Sequence, residues 1–138
     1  MTQYLRATLL QALTEYFSPQ KRQVEHAVRV LQHAERIMDE RRDCDSEIVI
    51  ASAILHDIGI KISEELHGYN NGRTQEEYGP PVAEEILNAI GFPDEKTEIV
   101  KNIIANHHSR PRHDYPELFV LKKADAIVNR EENTSPAE

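Results

Sequence analysis

The residues in this chain best suited to chemistry are His56 and Asp57. They end an otherwise apolar run, Val49-Ile50-Ala51-Ser52-Ala53-Ile54-Leu55-His56-Asp57-Ile58-Gly59. A helix that is apolar on every face is a buried central helix, and an imidazole beside a carboxylate can ligate a cation. Gly59 just beyond is a helix stop. From this stretch alone two readings stay open: a metal-ligand pair, or a polar helix end satisfied locally. His26 lies in the apolar stripe of Val24-Glu25-His26-Ala27-Val28-Arg29-Val30, where an unpaired imidazole is costly. Alone it reads more readily as a hydrogen-bonded core histidine. Asp125, flanked by Ala124 and Ala126 and followed by Ile127 and Val128, faces inward or into a cleft and needs a cation or donors.

These residues need helices to hold them. Leu5, Leu9, Leu10, Leu13 and Phe17 recur at helical spacing, so Thr2 to Phe17 is an amphipathic helix. Ser18-Pro19 reads as an N-cap and a first-turn proline for a second helix, running to about Arg41 and carrying His26. Asp45 or Ser46 can cap the central helix. Gly68-Tyr69-Asn70-Asn71-Gly72-Arg73 reads as a loop, where a lid or substrate-gripping element would sit. Pro80-Pro81 begins another helix, through about Ile90, and Phe92-Pro93-Asp94 begins the next, with His107-His108 at its end. A last helix starts near Pro116, after Asp114 as its cap, and carries Asp125. No strand pattern or internal repeat competes. The expected fold is all-α, a compact bundle of about six to seven helices in one domain over 1–130, with a polar, flexible tail at 131–138.

Composition bounds the function. The chain has 138 residues, 39% hydrophobic and 29% charged, as a globular domain does. A net charge of -8 argues against long nucleic acid as a partner, whereas a small anion can still bind where a metal sets the local field. No apolar run reaches the roughly 20 residues of a membrane helix. The start lacks a secretory pattern, and Cys44 is the only cysteine, which excludes an intrachain disulfide and a thiolate cluster. Together these favour the cytoplasm.

His26, His56, Asp57 and Asp125 thus come from three helices, in the order His … His-Asp … Asp. With "AILHDIG" at its centre, this order resembles the HD-domain superfamily of metal-dependent phosphohydrolases. "HAVRV", "EEYGPPVAEEIL", "IIANHH" and "KKADAIVN" resemble further segments of that family, over roughly Arg22 to Asn129. The resemblance implies that His26, His56, Asp57 and Asp125 bind one divalent cation, with Asp57 able to bridge to a second. Four N/O ligands on a six-coordinate ion leave about two positions for water and substrate, an open site. The ligand set suits Mn, Fe, Co, Ni or Mg. The second metal stays open. Two-metal members use extra histidines, and His67, His107 and His108 are available, but Tyr78 stands where some members place a histidine.

The resemblance also implies the chemistry: metal-activated water attacks phosphorus in a small phosphorylated molecule, a nucleotide being one candidate. Asp57, His107 and His108 are the catalytic candidates; the histidines would hold substrate phosphate or protonate the leaving group. Neighbours on a helix point about 100° apart, so only one is expected to face the metal. Substrate-binding candidates are Arg73, Arg110 and Lys61, with Arg112 a further cation and Glu76 orienting a water or ligand. His33 reads as structural and His113 as surface. Alternatives are a nucleotide-sensing HD module without turnover and a di-iron oxygenase. The first helix lies outside the ligand core and could pack against a second chain, making a homo-oligomer.

Overall fold

The computed structural model describes residues 2–134, and among these there are seven helices and no strand. They are α1 (Thr2–Phe17), α2 (Arg22–Asp39), α3 (Ser46–Leu55), α4 (Ile60–His67), α5 (Gly72–Ala89), α6 (Asp94–Ile104) and α7 (Pro116–Thr134). α3 is the hub, packed against α1, α2, α6 and α7. Every residue from Ile48 to Leu55 is buried, as a helix without a polar face requires. Removing side chains such as Ile50, Ile54 and Leu55 from water stabilises the fold by about 1.5–3 kcal/mol each. Leu5, Leu9, Leu13 and Phe17 of α1 are buried too, so its apolar stripe lies against this chain's own core.

The start of α3 is held firmly. The Asp45 carboxylate accepts from the Glu47 and Ile48 amides at 2.9 and 3.3 Å, satisfying two of the orphan donors of a helix start. Its own amide donates to Glu117 of α7 at 2.7 Å. Lys96 of α6 donates to the Asp45 and Glu47 carboxylates at 3.1 and 2.6 Å. The far end of α3, where His56 is the C-cap, therefore projects from a helix fixed at its other end.

Several boundaries differ from the sequence expectation. α2 begins at Arg22, with Lys21 at the cap position and no side-chain cap, so Ser18 is not its N-cap. The glycine-rich stretch is not a long loop: α4 follows Gly59 directly, and only residues 68–71 separate it from α5. α5 starts at an Asn71/Thr74 capping box, which satisfies its first donors, and continues through Pro80 and Pro81 instead of starting there. Those prolines leave the carbonyls of Glu76 and Glu77 without their usual helical donors. Finally, residues 131–134, expected as tail, complete α7, and the remainder of that segment, 135–138, lies outside the described residues.

α5 crosses the turn after Asp57 at very short range. A Cβ on Gly59 would meet the Gly79 amide nitrogen at 2.6 Å and the Gln75 carbonyl oxygen at 2.9 Å; one on Gly79 would meet Ile104 at 2.7 Å. Two glycines thus let α5 backbone press on the segment that carries Asp57. The expected outcome for Gly59→Ala is a loss of about 1–3 kcal/mol, seen as a fall of roughly 3–10 °C in melting temperature. Gly68→Ala, where the φ of 80° has no steric neighbour, tests backbone strain alone and should cost about 1 kcal/mol.

Candidate metal centre

Four expected ligands meet at the C-terminal end of α3. His26 Nε2 lies 3.2 Å from Asp125 Oδ1 and 3.4 Å from Asp57 Oδ2. His56 Nε2 lies 3.4 Å and 3.3 Å from the same two oxygens. Two imidazole nitrogens and two carboxylate oxygens thus face one another, and His26, His56 and Asp57 form a group able to hold a metal ion. Asp57 turns its other oxygen to His107 Nε2, 3.5 Å away, and Asp57, His107 and His108 form a second such group.

Helix ends orient the two most buried rings. The last four carbonyls of a helix have no intrahelical donor, and a histidine there can supply one. His56 donates Nδ1–H to the Ala53 carbonyl at 2.8 Å, and His107 donates Nδ1–H to the Ile104 carbonyl at 2.6 Å. In each neutral ring Nε2 then carries the lone pair. Both Nε2 atoms are buried and without a hydrogen-bond partner, which costs free energy unless something electron-accepting meets them. A divalent cation fits that requirement and the mixed N/O donor set.

The electrostatics say the same. Burial alone would lower the His56 pKa, but Asp57 and Asp125 outweigh it and hold it well above the ordinary 6.5. His26 is raised as well, burial being outweighed by Asp125 and Glu132. Burial would raise the Asp57 and Asp125 pKa values, yet the histidines hold Asp57 well below the ordinary 3.8 and hold Asp125 low too. The site favours positive charge, whether as a bound cation or as protons on its imidazoles.

The expected residues divide. Both His107 and His108 point to the centre, their ring centroids 3.9 Å apart. The expectation that only one would do so assumed a continuing helix, whereas α6 ends at Ile104 and the chain bends through both residues. His107 is buried against Asp57, while His108 lies on the cleft wall beside Gln75, to which its Nε2 is hydrogen-bonded. Glu76 holds this turn, accepting from the His108 amide at 2.8 Å and from Ser109 Oγ at 2.9 Å. Lys61 does not face the site: its Nζ donates to the Tyr16 carbonyl at 2.7 Å and sits over the Tyr16 ring. Arg73 and Arg110 are exposed and do not line the cleft. His67 is hydrogen-bonded to Tyr78 at 2.8 Å and belongs to neither metal-capable group.

A cleft of about 550 Å³ opens above these side chains. Its wall includes Arg22 and Arg29 of α2, Asn70, Gln75, and Asn129 and Glu132 of α7, residues not singled out from the sequence. Arg22 and Arg29 lie four before and three after His26 on one helix, which places them on its face; that spacing was the available signal.

A family model of the HD domain matches residues 24–130. The chain belongs to the HD-domain family. An uncharacterized protein of Clostridium beijerinckii is 29% identical over 108 residues, covering 78% of this chain. The chain spans 64% of that relative's length. The same fold occurs in the 1.45 Å crystal structure of a "predicted HD superfamily hydrolase" from an uncultured Thermotogales bacterium. That match has a TM-score of 0.63 and 24% identity, over 99% of this chain and 78% of the other. Among the described residues no helix of this HD domain is long and apolar enough to cross a membrane.

The charge balance sets a pH profile for the metal-free protein. Raised histidines stabilise the fold fully below their ordinary pKa of 6.5, and that contribution is lost as pH rises through the raised values. Depressed carboxylates contribute fully above 3.8, and this is lost as pH falls through the lowered values. Chelator-treated protein should therefore melt highest between about pH 4 and pH 6.5, with lower melting temperatures on both sides.

Proposed function

We propose that this HD domain, acting as one domain over residues 1–130, is a divalent-metal-dependent phosphohydrolase of a small phosphorylated molecule, with a nucleotide among the candidates. The observation that carries the reading is the pair of buried, unpartnered Nε2 atoms of His56 and His107, aimed at carboxylates on the floor of an open cleft. A purely structural cluster would be closed and hydrogen-bonded.

His26, His56, Asp57 and Asp125 would hold one ion, of Mn, Fe, Co, Ni or Mg type, and Asp57 with His107 and His108 a second. Bound there, a divalent cation supplies a water ionisable near neutral pH and neutralises charge on phosphoryl oxygens. The chain's own groups do the rest. Asp57 offers one carboxylate oxygen to each metal-capable group, so it holds both sets of ligands in register. Arg22 makes no ion pair among the described residues and lies on the cleft wall, where a guanidinium grips phosphate oxygens. Asn70, Gln75 and Asn129 offer neutral donors and acceptors for the remainder of a small molecule. Where the second ion is absent, His108, whose pKa burial and His107 lower, would instead be a neutral imidazole able to relay a proton to a leaving oxygen.

The test is phosphate release from a panel of nucleotides and sugar phosphates, with Mn, Co, Ni or Mg added, by wild type and Asp57→Asn. Wild type should release phosphate with at least one metal. The variant should lose more than about 100-fold, beyond what loss of a mere supporting partner costs. Tight metal binding with no release from any member would contradict the reading and favour a sensing module.

A further inference from the structure

The three buried histidines of the centre, His26, His56 and His107, are not oriented alike. His56 and His107 give Nδ1–H to a carbonyl three residues earlier, a partner supplied by the helix end itself. His26 has no such carbonyl. It lies inside α2, where the preceding carbonyls accept from the helix's own amides. Its Nδ1 reaches instead to Glu132 Oε2 in the last turn of α7, 3.0 Å away and 106 residues on in sequence. Arg29, one turn along from His26, also donates to Glu132 Oε2. The Glu132 side chain is 31% exposed, so the contact forms at the edge of the cleft, with Arg29 steering the carboxylate.

We infer that Glu132 is a positioning residue for the metal centre: by accepting the His26 Nδ1 proton it fixes the tautomer that leaves Nε2 free toward Asp57 and Asp125. This rests on the metal site proposed above. An imidazole whose rear N–H meets a carboxylate is a more basic ligand, held in one rotation, and removal of such a partner typically costs about 10–100-fold in metal affinity. Asp125 and Glu132 are seven residues apart on α7, two turns along one face, so a single helix supplies one ligand and the support of another. The last turn of α7 thereby belongs to the site.

The test is titration of the metal-free protein with Mn alone, in competition with a chelating dye. It uses wild type, Glu132→Ala, Glu132→Gln and, as neighbouring control, Glu131→Ala. Glu132→Ala should weaken Mn binding about 10–100-fold. Glu132→Gln, which keeps an acceptor oxygen and removes the charge, should fall between it and wild type. Glu131→Ala should stay within about twofold. In a His26→Ala background Glu132→Ala should add no further loss, because the ring it supports is gone; a general folding defect would persist there. Wild-type affinity in Glu132→Ala, or an undiminished loss in the His26→Ala background, overturns the inference. No Mn binding by wild type overturns the four-ligand site and the inference with it.

Discussion

Two carboxylates, Asp57 and Asp125, are driven toward the same two imidazoles, and most of the structure exists to keep them there. Like charges in a partly buried pocket repel, and burial penalises each of them separately. They persist only with compensating positive charge between or beside them. His26 and His56 face both carboxylates through Nε2 at 3.2–3.4 Å, the arrangement expected around a cation. Without one, burial is outweighed by the facing charges, which raise the pKa values of the histidines and lower those of the carboxylates.

The scaffold answers that constraint at each level. α3 is apolar throughout so that it can sit at the centre of the bundle, and it delivers His56 and Asp57 at its end. α2 and α7 flank it and bring His26 and Asp125. The bent chain after α6 brings His107 and His108. Gly59 and Gly79 let α5 close to backbone contact against the turn after Asp57. Each of these side chains thus comes from a helix, or from the end of one, whose position is set by core packing. Such an arrangement holds ligand geometry better than a loop would.

The legible part of the sequence was the part governed by burial. The apolar run ending in His56-Asp57, and an aspartate among alanines at Asp125, are costly in a core without a partner, so residue type marked them as needing one, and the family resemblance joined them to His26. The missed part depended on competing local signals or on tertiary direction. Pro80-Pro81 suggested a helix start, yet the capping box at Asn71 and Thr74 starts α5 earlier and the helix runs through both prolines. Lys61 adjoins the His-Asp segment in sequence, but its helix directs it to α1. Glu132 looked like tail because its neighbours are polar; it is ordered through a partner 106 residues away, which no local pattern reveals. Arg22 and Arg29 are legible only through their helical spacing from His26, four before and three after, whereas the arginines expected in loops, Arg73 and Arg110, do not line the cleft.

The measurement that tests the central claim most directly is a crystal structure of Mn-loaded protein with anomalous data collected at the manganese edge. The account requires an anomalous peak among His26 Nε2, His56 Nε2, Asp57 and Asp125, with both imidazoles donating through Nδ1 as in the metal-free chain. A second, weaker peak beside His107 is compatible with that result. No peak at this position in fully Mn-loaded crystals, with the histidines instead hydrogen-bonded directly to the carboxylates, would contradict it and return the cluster to a buried ion-pair network.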